Sequence, residues 1–321
     1  MNYLNSMDET SPIKNGVKTR PVSTFLGAPI GDLEDLSPGM IAIAGIYCDH
    51  FGEGVPGARF AARQIRYSSW QGLYQEPITI STNGLIDIGD LNVFPLEPQR
   101  HEKILSEQSE KIFRKGARLL SVGGDYTVSP AILKGALSAM PDNSIGIIRI
   151  SRRLDLFHIE PFKNLTPSRQ RTTSRISELI NGGLNNVVLI GAEGSLTVEE
   201  IEQSSEALVI PAFHLIDNMV TALKKIREAC QNCCDNYYLS IDADVLNACY
   251  DSTTFAGNNL GLTKEQLSVL LDGLHGIPVL AADVTGFIPD FDVTGRTNTA
   301  IIENIVRGVI GILRHKEVQC F

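Results

Sequence analysis

The sequence of 321 residues lacks any run of about 18 or more apolar residues, the length that a membrane-crossing helix needs. Its first stretch, MNYLNSMDETSPIKNGVKTRP, has no apolar segment of the kind found in signal peptides, and we expect a polar arm there. Positive charge is scarce, with 28 Lys and Arg against 37 Asp and Glu, and the net charge of −9 argues against a nucleic-acid surface. We therefore expect a cytoplasmic protein that binds neither membranes nor nucleic acids.

Cysteine is also too sparse for a disulfide framework, since only 6 occur in the whole chain. The nearest approach to a cluster is REACQNCCDNYY, which contains Cys230, Cys233 and Cys234. A structural zinc site normally takes a second pair of ligands at a suitable spacing, and none is obvious in the sequence. We interpret the three residues as ordinary thiols at the end of a helix.

Short apolar runs and amphipathic stretches alternate along the chain. Runs of continuously apolar residues predict strands that are covered on both faces; they lie at 40–47, 84–90, 117–125, 144–150, 186–194, 236–244 and 278–286. Residues 99–116 predict a helix with Ile104 and Ile112 on one face and Gly116 at its end. Residues 263–276 predict another, because Thr263 and Gln266 have the spacing of a capping box.

Strand followed by helix, repeated, predicts a parallel sheet with helices on both faces. The expected fold class is α/β, a three-layer αβα sandwich with a mostly parallel sheet. With no long linker and no repeat in the sequence, we expect a single domain over residues 38–321 and a polar N-terminal arm over residues 1–37.

Functional residues in such a sheet are expected at the carboxyl ends of the strands. Charged and nucleophilic residues follow several predicted strands: Cys48, Asp49, His50 and Glu53; Asp125 and Tyr126; Arg149, Arg152, Arg153 and Asp155; Asp242 and Asp244. In SIDAD the two acids are two residues apart, which predicts that they point the same way from a strand. Acids that converge at one place need a cation, because like charges a few ångströms apart cannot all stay ionised unaided.

Four segments carry a resemblance to a known family. PGARFAARQIR (56–66), SVGGDYTVS (121–129), SIDADVL (240–246) and DVTGRTNTA (292–300) resemble the ureohydrolases, that is the arginases and agmatinases, and the first of them resembles the agmatinase branch most. The resemblance implies an arginase-like fold and hydrolysis of a guanidino compound to urea and an amine. It also implies a site with two Mn ions bridged by hydroxide, and a homo-oligomer, either a trimer or a hexamer.

The chain departs from the family where the family holds its metals. The histidine of the GGDH motif falls on Tyr126, and the first acid and the histidine of the DAHxD motif fall on Ser151 and Arg153. The surviving ligand positions are Asp155, Asp242 and Asp244. We therefore expect no binuclear Mn site and no cofactor, although a weak divalent ion on the three surviving acids stays open.

Two further family positions are also altered. The late glutamate that lies near the substrate in the family falls on Gly286, and the Asp-Pro pair after SxDxD is Asn247-Ala248. We interpret Arg153 as an internal replacement for the metal charge, because a guanidinium is a permanent cation with five donors. The alternative is that Arg152 or Arg153 turns out to solvent.

Three functions follow as alternatives. The first is a repurposed, metal-independent enzyme that acts on a small polar molecule, a guanidino or amino compound. The second is a non-catalytic regulatory or structural homologue, and the third is an atypical agmatinase-like hydrolase that releases urea. Candidate catalytic residues are Asp125, Tyr126, Asp155, Asp242, Asp244, Cys48 and His50; candidate substrate-binding residues are Asp49, Glu53, Arg153, Asn247 and Cys249.

Overall fold

A computed structural model describes residues 23–50, 56–72, 81–94, 97–153, 184–193, 207–247, 260–292 and 297–314. The described residues contain eight strands: β1 Ile41–Ile46, β2 Leu85–Leu91, β3 Arg118–Val122, β4 Ile145–Ile150, β5 Leu184–Ile190, β6 Ala207–Ile210, β7 Asn236–Asp242 and β8 Val279–Thr285. They also contain seven α-helices: α1 Ala61–Gly72, α2 Pro98–Arg114, α3 Val128–Ala139, α4 Ala212–Asp217, α5 Met219–Cys230, α6 Lys264–Gly273 and α7 Thr297–Leu313.

All eight strands form one parallel sheet in the order β2-β1-β3-β8-β7-β4-β5-β6. Each of the seven predicted strands is present, and the α/β fold class is confirmed. Strand β6 was not predicted. Its four residues, Ala207–Ile210, form an edge strand that is mostly half-buried, and so short a run gives little periodic signal.

Helices cover both faces of the sheet, which explains why the central strands are apolar on both sides. Along β4, Ile145 and Ile147 belong to a core beneath α2 and α3, whereas Ile148 and Ile150 belong to the other core. That second core is closed by α1, α5, α6 and α7. Because side chains alternate along a strand, Arg149 lies on the same face as Ile147, under α2 and α3.

The predicted helix ends are also present. Helix α6 begins with a capping box, in which the hydroxyl of Thr263 accepts from the backbone N–H of Gln266 at 3.2 Å and the side chain of Gln266 accepts in return. Helix α2 ends at Arg114, and Gly116 follows with φ of +70°, a conformation that favours glycine.

The N-terminal boundary at residue 38 stays a prediction, and residues 1–22 lie outside the described part of the chain. Phe25 and Leu26, on the N-terminal side of that boundary, are buried in the core with α1. The N–H of Phe25 donates to Asp87 on β2 at 3.0 Å. Among the described helices, none is long and apolar enough to cross a membrane.

Candidate functional site

The carboxyl ends of the parallel strands bring several candidate residues to one edge of the sheet. Strands β3, β8, β7 and β4 are consecutive neighbours in its middle. The segments that follow them contain Asp125 and Tyr126, Gly286, Asp244, and Arg152 with Arg153. This edge is where open α/β sheets bind their ligands, and it is the candidate site.

The two acids of SIDAD are both fully buried at this edge. Strand β7 ends at Asp242, and a short 3-10 helix, Ala243–Val245, begins directly after it. The expectation that both acids project from one strand is therefore wrong: the turn, not the strand, places Asp244. Oδ1 of Asp242 accepts from the backbone N–H of Asp244 at 3.0 Å and caps that turn.

The charge of Asp244 is opposed by burial and supported by arginine. Burial raises the pKa of Asp244 above its usual range. The backbone N–H of Arg152, which donates to Oδ1 of Asp244 at 3.1 Å, lowers the pKa, and so do the charges of Arg149, Arg153 and Arg152. The carboxylate is thus held by groups of β4 and of the segment that follows it.

The three arginines of RISRRLD occupy three different environments. Arg149 is fully buried below the site, with Nη2 3.9 Å from Oδ2 of Asp242. Arg152 is half-buried, with Nε 3.8 Å from Oδ2 of Asp244 and Nη1 3.3 Å from Oε2 of Glu193. None of these three ion pairs was predicted. The available signal was Arg149 itself, a charged residue within a run that is otherwise covered on both faces.

Arg153 lies beside the residue that replaces the family's GGDH histidine. Its guanidinium carbon is 5.8 Å from the centre of the Tyr126 ring, and its backbone N–H donates to Oγ of Ser151 at 3.2 Å. Its charge contributes to lowering the pKa of Asp244. The prediction that Arg153 pairs directly with a carboxylate stays a prediction, and one proposed partner, Asp155, lies outside the described residues.

Asp125 is fixed by its own turn. Oδ1 of Asp125 accepts from the backbone N–H of Thr127 at 3.0 Å and from its hydroxyl at 2.5 Å. Gly124, with φ of +82°, lets the turn approach the end of β1, since a Cβ there would lie 3.0 Å from Ile46 and 2.7 Å from Val128. The turn therefore presents Tyr126, which is half-buried, at the edge of the sheet.

The segment after β1 is held by an arginine from the family-like motif at 56–66. Asp49 accepts from the backbone N–H of Gly57 at 2.6 Å and pairs with Nη2 of Arg59 at 2.6 Å. Nη1 of Arg59 also lies 3.3 Å from Nε2 of His50, which is exposed. Asp49 is thus engaged in fixing this loop, and Glu53 lies outside the described residues.

The surroundings of Cys48 make it a poor candidate for an ionised nucleophile. The side chain is buried, and burial raises the pKa of the thiol to about 11. Its Sγ lies 3.9 Å from Nδ1 of His50. These observations favour a packing role, although the catalytic role stays open as a prediction.

The remaining substrate-binding candidates are described only in part. The backbone N–H of Asn247 donates to the carbonyl oxygen of Leu262 at 2.9 Å, which ties this residue to the segment before α6. Cys249 lies outside the described residues.

The manganese site that the resemblance implies can be tested against the donor chemistry. Within the described ranges, no three His, Cys, Asp or Glu side chains form a group able to hold a metal ion. Oδ2 of Asp244 is buried and makes no hydrogen bond in that part of the chain, but Nε of Arg152 lies 3.8 Å from it. A guanidinium so close to Asp244 would repel a divalent cation, and the absence of a binuclear Mn site stays a prediction.

Comparison with known proteins identifies the family. A sequence model of the Arginase family matches residues 40–310. Human mitochondrial guanidino acid hydrolase is 26% identical over 281 residues, covering 81% of this chain and 74% of that protein. Agmatinase from Bacillus subtilis (strain 168) is 29% identical over 275 residues, covering 79% of this chain and 87% of that protein. The structure of proclavaminate amidino hydrolase from Streptomyces clavuligerus superposes with a TM-score of 0.77 at 18% identity, covering 92% of this chain and 99% of that one. The resemblance to ureohydrolases is therefore confirmed, and the chain belongs to the arginase family.

Proposed function

We propose that this protein is a repurposed member of the arginase family that acts on a small guanidino or amino compound without a binuclear Mn site. The observation that carries the proposal is the placement of arginine against the surviving acids. Arg152 approaches Asp244 and Arg149 approaches Asp242, while Arg153 stands beside Tyr126. Positive charge from the chain itself thus surrounds the positions where the family would place metal charge.

The substrate class is carried over from relatives. The related proteins include guanidino acid hydrolase, agmatinase and guanidinopropionase. We carry over from these names a guanidino compound as the substrate class. We further propose that the protein is a homo-oligomer, a trimer or a hexamer, and that it works in the cytoplasm.

A metal-independent reaction needs a proton acceptor and a proton donor from the chain. His50 is the proposed base, because it is exposed beside Arg59 at the end of β1. Tyr126 is the proposed proton donor, since its phenol stands at the edge of the sheet near Arg153. Asp125 is proposed to hold the turn that presents Tyr126, through its bonds to Thr127.

A non-catalytic homologue is the second candidate, and two observations favour it. The surviving acids Asp242 and Asp244 are engaged by internal groups, and the buried Cys48 thiol has a raised pKa. Such a protein would bind its ligand without converting it. The third candidate is an agmatinase-like hydrolase that holds a weak divalent ion on Asp155, Asp242 and Asp244.

Metal analysis and ligand screening test the proposal. We expect protein purified without added metal to contain less than one equivalent of Mn, and 1 mM Mn²⁺ (about a typical assay concentration) to leave its melting temperature unchanged. A guanidino acid or an amine should raise the melting temperature. Stoichiometric Mn, or urea release that EDTA abolishes, would contradict the proposal and support the third candidate.

Product analysis separates the first two candidates. Incubation of the stabilising compound with the protein should yield an amine product, and Tyr126→Phe and His50→Gln should lower its rate while binding persists. The matched control is Tyr47→Phe, because Tyr47 is an exposed tyrosine that follows β1 and packs on Phe60. Binding without any product in the wild-type protein would favour the non-catalytic homologue.

A further inference from the structure

Four polar side chains stand opposite one another beneath the candidate site. In the register of the sheet, Arg149 on β4 lies opposite Ser240 on β7. Ser240 lies opposite Asp283 on β8, and Asp283 lies opposite Ser121 on β3. All four are at most 1% exposed. They lie on the sheet face that α2 and α3 cover. A continuous polar row in the middle of a covered sheet is costly unless its members satisfy one another.

Three of the four members are joined by hydrogen bonds whose direction can be assigned. Oγ of Ser240 lies 3.0 Å from Oδ1 of Asp283, and the carboxylate can only accept, so the serine hydroxyl donates its single proton there. Oγ of Ser240 accepts from Nη1 of Arg149 at 3.1 Å and lies 3.2 Å from Oγ of Ser129. The hydroxyl of Tyr238 donates to Oδ2 of Asp283 at 2.5 Å.

Arg149 links this row to the acids of the site. Its Nη2 lies 3.9 Å from Oδ2 of Asp242, and both side chains are fully buried. A guanidinium stays protonated in proteins, so Arg149 brings a fixed positive charge into the interior. Two buried carboxylates, Asp242 and Asp283, lie on its side of the sheet to balance that charge.

We infer that Arg149 is the residue that compensates the charge of Asp242, from beneath the site, in place of a metal ion above it. The inference deepens the proposed function and rests on it in one respect, namely that the site works without Mn. It differs from the expectation for Arg153, because Arg149 is built into the sheet and bonded to Ser240. The competing interpretation is that Arg149 only fills space and bonds Ser240, with no energetic link to Asp242.

A double-mutant cycle separates these interpretations. Its members are the wild type, Arg149→Met, Asp242→Asn and the double variant, compared by thermal and urea unfolding. Each single change should lower the melting temperature by at least about 5 °C, because it removes one charge of a buried, oppositely charged pair. The double variant should recover at least half of the loss caused by Arg149→Met. Arg149→Lys, which keeps the charge, should retain more stability than Arg149→Met.

The matched control uses a buried aspartate that pairs with a different arginine. Asp87 on β2 is bound by Arg66, so Asp87→Asn should add its own loss to that of Arg149→Met without any recovery. If Arg149→Met alone is insoluble, recovery of soluble, folded double variant supports the inference. Strictly additive losses for residues 149 and 242, or a double variant that stays insoluble, would overturn it.

The double-mutant cycle and the metal analysis test the two hypotheses separately. Finding stoichiometric Mn in the wild type would remove the proposed function while leaving the coupling between Arg149 and Asp242 as measured. Finding no Mn together with additive losses would retain the proposed function and reject Arg149 as the compensating residue.

Discussion

A Cβ atom built on Gly286 would lie 2.5 Å from Oδ1 of Asp242. The two residues stand at the carboxyl ends of neighbouring strands, and Gly286 has φ of +80°, in the left-handed region. Gly286 is the position onto which the family's late glutamate falls. Any side chain at residue 286 would therefore contact the carboxylate of Asp242, an acid that this chain retains from the family motif.

Restoring the family residue should damage this protein. Gly286→Glu forces a side chain into the left-handed region and against Asp242, and we expect a loss of about 2–5 kcal/mol in the free energy of unfolding. Gly84→Glu is the control, since Gly84 has φ of +75° but no atom within 4 Å of its Cβ. It should lose only the backbone part, about 1 kcal/mol, in urea unfolding. Equal losses for the two variants would show that contact with Asp242 is unimportant.

We expect Arg66, the last residue of the segment PGARFAARQIR, to stabilise the fold. Arg66 donates to both carboxylate oxygens of Asp87 at 2.9 Å and to the carbonyl oxygen of Gly89 at 2.8 Å. Arg66→Met should cost about 3–5 kcal/mol, because it leaves Asp87 buried without its cation. Arg63→Met, on the same helix, should cost less than about 1 kcal/mol. A small loss for Arg66→Met in urea unfolding would mean that water replaces the guanidinium.

Thiol labelling should distinguish Cys48 from the exposed Cys233. At pH 7.5 the folded protein should react with iodoacetamide at Cys233, while Cys48 reacts more slowly by roughly 100-fold or more. The reason is that Cys48 is buried and its thiol has a pKa of about 11. Mass spectrometry of the labelled peptides measures both rates. Fast labelling of Cys48 would restore it as a candidate nucleophile.

Protonation of His101 should destabilise the protein over a defined pH interval. Burial first, and the charge of His50 second, lower the pKa of His101 from 6.5 to about 4. The unfolded chain therefore binds a proton more readily than the folded one between these values. The contribution of His101 is present above pH 6.5, is lost as the pH falls to about 4, and does not change further below that.

Urea unfolding at pH 7.5 and pH 4.5 measures this effect. The loss of stability between the two pH values should be smaller by about 1–3 kcal/mol in His101→Gln than in the wild type. His214→Gln is the control, because His214 is exposed. The same pH dependence in wild type and His101→Gln would contradict the prediction.

The sequence predicted the sheet well because its strands are covered on both faces, which makes them continuously apolar and easy to find. It missed β6, since an edge strand of four residues carries too few apolar positions. At the site, the family motifs located Asp242 and Asp244 at the end of β7. The motifs also indicated Arg153, because it falls on a family ligand position. The ion pair of Arg149 with Asp242 could be identified only from the direction of each side chain on β4.

The polar row of Arg149, Ser240, Asp283 and Ser121 also bears on how the sheet assembles. A slip of one residue between neighbouring strands turns every side chain to the opposite face. If β4 slipped in this way, Arg149 would enter the layer that holds Ile148 and Ile150, far from any of its acceptors. Apolar strands such as IGIIRI would otherwise tolerate several alignments, because isoleucine packs on either face. The buried guanidinium therefore makes one strand alignment far more stable than its neighbours, a contribution to folding fidelity that is separate from any role in catalysis.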